Sequence, residues 1–217
     1  MAFLDNIKAR LAGDAAGGSG TSQTRIVVGL GNPGERYAAT RHNAGFLAVD
    51  AVTAELDVSN WRARFDSLVA EKRVDFSGGE EGHSERTLLV LAKPQTMMNS
   101  SGRAVKGLLK HYKLDPESLI VVQDDLDLPP GALRIKEGGG HGGHNGIRDI
   151  IAEVGAGFIR VKIGVGRAPG RMDSFDYVLQ QLKGTGLEEL RVDAARAADA
   201  TLFLLKHGLT ETQNRFN

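Results

Sequence analysis

One histidine, one aspartate and three asparagines in this sequence have the types and positions to act on a substrate together. His42 lies in Arg41-His42-Asn43 at the start of a helical pattern in which His42, Phe46, Val49, Thr53 and Leu56 share a face. That face is otherwise apolar, so the ring points inward, and a first helical turn disfavours imidazolium and keeps the ring able to accept a proton. A lone histidine of this kind is equally a satisfied core residue unless a carboxylate orients it. Asp124 is the candidate, because it follows the buried-strand run Leu-Ile-Val-Val-Gln at 119–123. Asn32, Asn99 and Asn145 also come just after predicted strands, and open α/β sheets bind ligands beyond the carboxyl ends of their strands. The rival reading of the acids in Asp124-Asp125-Leu126-Asp127, ahead of Pro129-Pro130-Gly131, is a solvated turn.

The chemistry open to such a set is narrow. There is no cysteine, so thiol nucleophiles and disulfides are excluded. No Gly-x-Ser-x-Gly elbow is present, and Ser100 and Ser101 have no Ser-x-x-Lys partner. His141-x-x-His144 has metal-like spacing, but it stands in a glycine loop with no nearby acid, so no metal is expected there. What remains is a histidine that activates water while amides hold the substrate and its developing oxyanion, equipment that suits an activated ester better than an amide.

Two glycine motifs frame these residues. The run GGGHGGHNG at 138–146 gains nothing from core burial and makes sense where backbone must approach a ligand, a phosphate or another anionic oxygen. Ile147, Ile150, Ile151 and Val154 continue it as a helix, with Asn145 as the expected N-cap. Gly29-Leu30-Gly31-Asn32-Pro33-Gly34 matches G-x-G-x-x-G, the dinucleotide fingerprint. Here Pro33 and the stretch 37–40 delay the helix, and Asp50, at the distance of the ribose acid, falls inside a helical pattern. The motif is therefore read as a tight loop presenting Asn32.

The elements that must position these groups alternate along the chain. Strands are predicted at 25–29, 67–76, 87–92, 119–123, 132–136 and 158–165. Helices are predicted at 41–56, 99–112, 146–154 and 187–207, the last stopped by Gly208. This predicts a single three-layer α/β domain over 24–217, a mixed, mostly parallel twisted sheet flanked by helices. Residues 1–23 read as a flexible tail or linker, and 78–83 as a hairpin loop. Net charge is zero, so any nucleic-acid partner must be held by local patches. Arg103, Lys106, Lys110 and Lys113 form one such stripe, and Arg160, Lys162, Arg167 and Arg171 cluster elsewhere. No apolar run is long enough to span a membrane, and a cytoplasmic address is expected.

Four segments, GLGNPGERYAATRHNAGF (29–46), KPQTMMNSSG (93–102), DDLDLPPG (124–131) and GGGHGGHNGIRDII (138–151), resemble the bacterial peptidyl-tRNA hydrolase family. The resemblance runs from about residue 24 to 217, including the ending GLTETQNRFN. It implies hydrolysis of the ester joining a peptide to the 3′ end of tRNA, by a monomer without metal or cofactor. It also implies that His42 is the base, that Asp124 orients it, and that Asn32 recognises the peptide beside the ester. Asn99 and Asn145 would hold substrate and water, and Tyr37 and Met97 would line the tRNA 3′-end site. Lys136 and Lys162 would clamp the tRNA 5′ phosphate. Met97 and Lys162 stand where some relatives have phenylalanine and arginine. Plastid relatives that act as RNA splicing factors supply the alternative, a non-catalytic RNA-binding module. His141 and His144 receive no role from the sequence alone; a mobile gate and a tRNA contact are both open for His144.

Overall fold

The computed structural model describes residues 23–76 and 86–217. The tail expected over 1–23, apart from its last residue, and the hairpin loop at 78–83 lie outside the described residues. Seven strands form one sheet: β1 (Gln23–Gly29), β2 (Arg62–Arg64), β3 (Ser67–Asp75), β4 (Arg86–Pro94), β5 (Leu119–Asp125), β6 (Leu133–Glu137) and β7 (Ile159–Gly164), in the order β2-β3-β4-β1-β5-β7-β6. The described helices are α1 (Ala44–Glu55), α2 (Ser101–Tyr112), α3 (Asn145–Val154), α4 (Ser174–Leu179) and α5 (Thr185–Phe216).

The ladders β1–β4, β1–β5 and β5–β7 are parallel, and β2–β3, β3–β4 and β6–β7 are antiparallel. The sheet is mixed as expected but not mostly parallel: three ladders at its centre are parallel and the three toward its edges are antiparallel, because β2–β3–β4 and β6–β7 pair with reversed neighbours. Side chains alternate as a two-sided sheet requires. Ile26 and Val28 of β1, with Leu119 and Val121 of β5, face a core shared with α2 and α3. Val27, Ile120 and Val122 face the opposite core, shared with α1 and α5. The third layer is thus real on both sides.

Differences from the sequence reading have local causes. β2 is three exposed residues, and α4 is six residues with Val178 alone buried, so neither carries an apolar period. Gly208 interrupts the last helix where expected: at φ 78° and ψ 179° it is outside helical geometry. A further helical segment, not foreseen, follows it to Phe216, so α5 is two helices joined at a kink. Residues Arg41–Asn43 form one turn of 3-10 helix ahead of α1 rather than its first α-turn.

The first glycine motif is explained by packing. A Cβ on Gly45 would lie 2.3 Å from the Val122 carbonyl oxygen and 2.4 Å from the Leu30 nitrogen; one on Gly29 would lie 2.2 Å from the Gly45 oxygen. The end of β1 and the start of α1 touch backbone to backbone, and the Phe46 amide donates to the Leu30 carbonyl at 3.2 Å. This packing fixes the 3-10 turn that carries His42 over the ends of β1 and β5.

Candidate active site

His42 and Asp124 meet. Asp124, 2% exposed, extends the β5 face of Ile120 and Val122, and His42, 7% exposed, reaches it from the turn before α1. The His42 Nδ1 lies 3.0 Å from Asp124 Oδ1 and 3.1 Å from Oδ2. With the proton on Nδ1 donated to the carboxylate, Nε2 is left as the acceptor. Burial works against a charged His42 ring, but the charge and hydrogen bond of Asp124 outweigh it, and the pKa stands above its ordinary value. This corrects the expectation that the helix start would keep the ring neutral: the carboxylate decides the direction. Burial likewise opposes ionisation of Asp124, and is outweighed by His42 and His144, which hold its carboxyl far below the usual range.

His144 is a second partner of Asp124, with Nε2 3.0 Å from Oδ1. It is also the N-cap of α3, its Nδ1 accepting from the Gly146 and Ile147 amides at 3.1 and 3.3 Å. The cap was expected at Asn145, which is instead the first residue of the helix. The sequence signal was weak because histidine is not among the residues that ordinarily cap.

How the glycine loop brings His144 here follows from the sheet. β6 runs antiparallel and ends with Glu137 beside Ile159, the first residue of β7. Asp124 pairs with Ile163, four residues further along, roughly 13 Å at strand rise. Residues 138–144 return the chain over that distance. Arg160, 2% exposed, ties the return, donating through Nη2 to the Gly138 and Gly140 carbonyls at 2.9 and 3.0 Å. Arg160 therefore belongs to the loop's support and not to an exposed basic patch.

A cavity of about 630 Å³ opens at this cluster. His42, Asp124, His144 and Asn145 line one side; Met172, Phe175 and Val178 line the other. Met172 and Phe175 are exposed apolar side chains, 44% and 59% accessible. Sequence reasoning missed this wall, which comes from a short loop and α4. Asn145 accepts from the Arg148 guanidinium through Oδ1, which leaves its NH₂ group as the donor.

The other expected residues lie around the cavity rather than in its lining. Asn32 is buried, and its Oδ1 accepts from the Met98 amide at 2.7 Å. Its backbone is clamped by Asn43, which accepts from the Asn32 amide at 2.9 Å and donates to its carbonyl at 3.0 Å. Asn43, beside His42, is a positioning residue the sequence did not single out. Met98 in turn packs against Gly146, where a Cβ would lie 2.5 Å from its sulfur. Met97 and Asn99 are exposed at the 3-10 turn Met98–Ser100 and its approach, and Tyr37 is half-buried with the Arg36 guanidinium 4.6 Å over its ring.

The basic residues are less free than their sequence pattern implies. Lys162 pairs with Asp125, Arg103 with Asp66 at 3.0 Å, Lys106 with Glu153 at 2.9 Å and Arg167 with Asp127 at 2.6 Å. Lys136 has no acid within ion-pair distance among the described residues, and its Nζ lies over Gly139. The described residues include one group with metal-ligand character, His42, Asp124 and His144, whose donor atoms fall within 4.8 Å of one another. The hydrogen bonds above engage His42 Nδ1, Asp124 Oδ1 and both ring nitrogens of His144, and leave His42 Nε2 free.

Known proteins match this chain over almost all of the described fold. The family model described as peptidyl-tRNA hydrolase matches residues 26–217. A peptidyl-tRNA hydrolase of Leifsonia xyli is 49% identical over 193 residues, 88% of this chain and 96% of the relative. One of Mycobacterium tuberculosis is 46% identical over 193 residues, 88% of this chain and 95% of the relative. The crystal structure of peptidyl-tRNA hydrolase from Acinetobacter baumannii superposes with a TM-score of 0.73 at 34% identity, covering 91% of this chain and 96% of that one.

Proposed function

The chain belongs to the peptidyl-tRNA hydrolase family, and from that premise we propose how its cleft carries out the reaction. It is a hydrolase of the ester between peptide and tRNA, and the non-catalytic RNA-binding alternative receives no support. The catalytic unit is residues 24–217, consistent with β1 opening at Gln23 and the family match opening at 26.

The observation that carries the assignment of roles is the buried His42–Asp124 hydrogen bond at the mouth of the cavity. Asp124 holds the Nδ1 proton, so Nε2 takes a proton from water as the water oxygen attacks the ester carbonyl carbon. The tetrahedral oxyanion collapses by breaking the bond to the ribose oxygen. That oxygen leaves with the proton from Nε2, giving the 3′ hydroxyl and the peptide's carboxylic acid, which releases its proton to solvent as the carboxylate, and His42 returns to its starting form. The Asn145 NH₂ group serves as a donor to the carbonyl oxygen or the water. Asn32, fixed by Met98 and Asn43, presents its remaining NH₂ group to the peptide backbone next to the ester. Met172 and Phe175 offer apolar surface to the peptide's side chains. Tyr37, Met97 and Asn99, on the two exposed turns, meet the tRNA 3′ end. The enzyme works as a cytoplasmic monomer with no metal of its own. The described residues contain no helix long and apolar enough to cross a membrane.

The test is release of N-acetyl-amino acid from N-acetyl-aminoacyl-tRNA by the full chain, compared with unblocked aminoacyl-tRNA. Rapid release from the blocked substrate is expected; tRNA binding with no release would overturn the assignment. For the tRNA phosphate, Lys136 is the better of the two expected partners, because Lys162 is committed to Asp125. Lys136→Ala should weaken tRNA binding and flatten the slope of log affinity against log salt by roughly 0.7–0.9, the share of a single phosphate. An unchanged slope in a fluorescence-anisotropy titration removes Lys136 from the interface.

A further inference from the structure

We propose that His144 is a positioning residue for the reaction, holding Asp124 through a ring proton that the N-cap of α3 forces onto Nε2. This rests on the assignment of His42 as the base and Asp124 as its partner.

The geometry leaves His144 one arrangement. Its Nδ1 accepts from two backbone amides, Gly146 and Ile147, so that nitrogen carries no proton. The ring proton must then be on Nε2, which lies 3.0 Å from Asp124 Oδ1 and donates to it. The cap and the bond to Asp124 are thus one device: the helix start selects the tautomer, and the tautomer supplies the donor. Asp124 receives N–H groups from two sides, His42 Nδ1 and His144 Nε2, whose rings lie 5.0 Å apart. The second donor takes up part of the carboxylate charge and fixes the plane of the carboxyl group. The second donor thereby draws off part of the negative charge that Asp124 presents to His42.

The surroundings isolate this triplet. The other ionisable groups lining the cavity are Asp125, Asp127, His141, Arg167 and Asp173. Asp125 is paired with Lys162 and Asp127 with Arg167. The His141 Nδ1 accepts from the Gly143 amide at 3.0 Å, and Asp173 caps α4 by accepting from the Phe175 amide. None of them is hydrogen-bonded to Asp124. The glycine run also permits the arrangement, because a side chain at position 146 would meet Met98 and the His144 ring itself.

Two substitutions separate the two jobs. His144→Asn keeps an acceptor near the Nδ1 position, and asparagine is a strong N-cap, but it does not reach Asp124. His144→Gln places an amide NH₂ near the Nε2 position and gives up the cap. The asparagine variant should unfold at the wild-type temperature, lose roughly ten- to a hundredfold in kcat, as outer-shell partners do, and move the acidic limb of its pH–rate profile to higher pH. The glutamine variant should keep the limb where it is and lose thermal stability instead. Nitrogen-15 spectra of the imidazoles in the wild-type protein should show His144 protonated on Nε2 alone. A His144→Asn enzyme with wild-type kcat and limb, or a His144 ring with its proton on Nδ1, overturns the proposal. If His42→Ala retains full rate, the base assignment beneath it has failed instead.

Discussion

His42→Ala lowers kcat on N-acetyl-aminoacyl-tRNA by roughly 10²–10⁴-fold, the range a positioned general base contributes. Nothing else around the cavity can replace it. Asp124 is locked as an acceptor for two histidines, and His144 is engaged at both nitrogens. His141 stands on the exposed part of the glycine loop, bonded back to Gly143. The side chains proposed to meet tRNA are elsewhere, so affinity for tRNA should hold while turnover falls. Single-turnover release of the acylated amino acid, measured beside equilibrium tRNA binding, reads both. A variant with most of its rate intact would remove His42 from the proton transfer. The wild-type profile carries a second mark. Asp124 raises the His42 pKa above its usual value of 6.5, and the working form is the unprotonated ring. The rate should therefore climb with pH through a midpoint above 6.5 and then level.

Asp124→Asn should cost a comparable factor, for a different reason. The carboxylate accepts two N–H donors, and asparagine has one oxygen and one NH₂ group for the same two neighbours. One histidine must then face a donor. When that is His42, its proton moves to Nε2 and the base is lost, the effect of the same substitution in serine-protease triads. Whatever activity remains should show its acidic limb at lower pH than wild type. With the charge gone, burial alone acts on the ring, and burial lowers a histidine pKa. This displacement is opposite to that expected for His144→Asn, so the pair can be compared directly. A limb that stays put in Asp124→Asn would mean that the acid orients His42 without tuning it.

The His42–Asp124 pair was legible because both ends adjoin strongly patterned elements: His42 stands in the turn that leads into a helix face of period near 3.6, and Asp124 lies near the end of an unbroken apolar strand. The sheet was legible for the same reason, and its central strands fall within a few residues of their predicted bounds. His144 was not. Its role needs a loop that doubles back from an antiparallel strand, and strand direction is not written in the period of β6. The apolar wall of Met172 and Phe175 was hidden because those residues follow no pattern and gain meaning only when α4 folds across the cleft. The basic stripe on α2 was legible as charge, but its partners Asp66 and Glu153 come from other elements, and helical spacing says nothing of them. The motif Gly29–Gly34 imitated a nucleotide site because close backbone packing calls for the same residue as close approach to a pyrophosphate.

The place of β1 in the sheet has a consequence for the chain during its own synthesis. It is the first described strand and the central one, with Ile26 paired to Val90 on one side and Val27 to Ile120 on the other. At ~5–20 residues per second, the roughly one hundred residues between β1 and the end of β5 take on the order of 5–20 s to translate. One edge of this apolar strand waits for β4, which ends at Pro94, and the other waits through the whole interval for β5. Pairings so distant in sequence close slowly, and an unpaired apolar edge is the kind of surface that chaperones bind and aggregates recruit. The nascent chain is thus most exposed to misfolding before β5 emerges, and His42 has no catalytic partner until the same strand arrives.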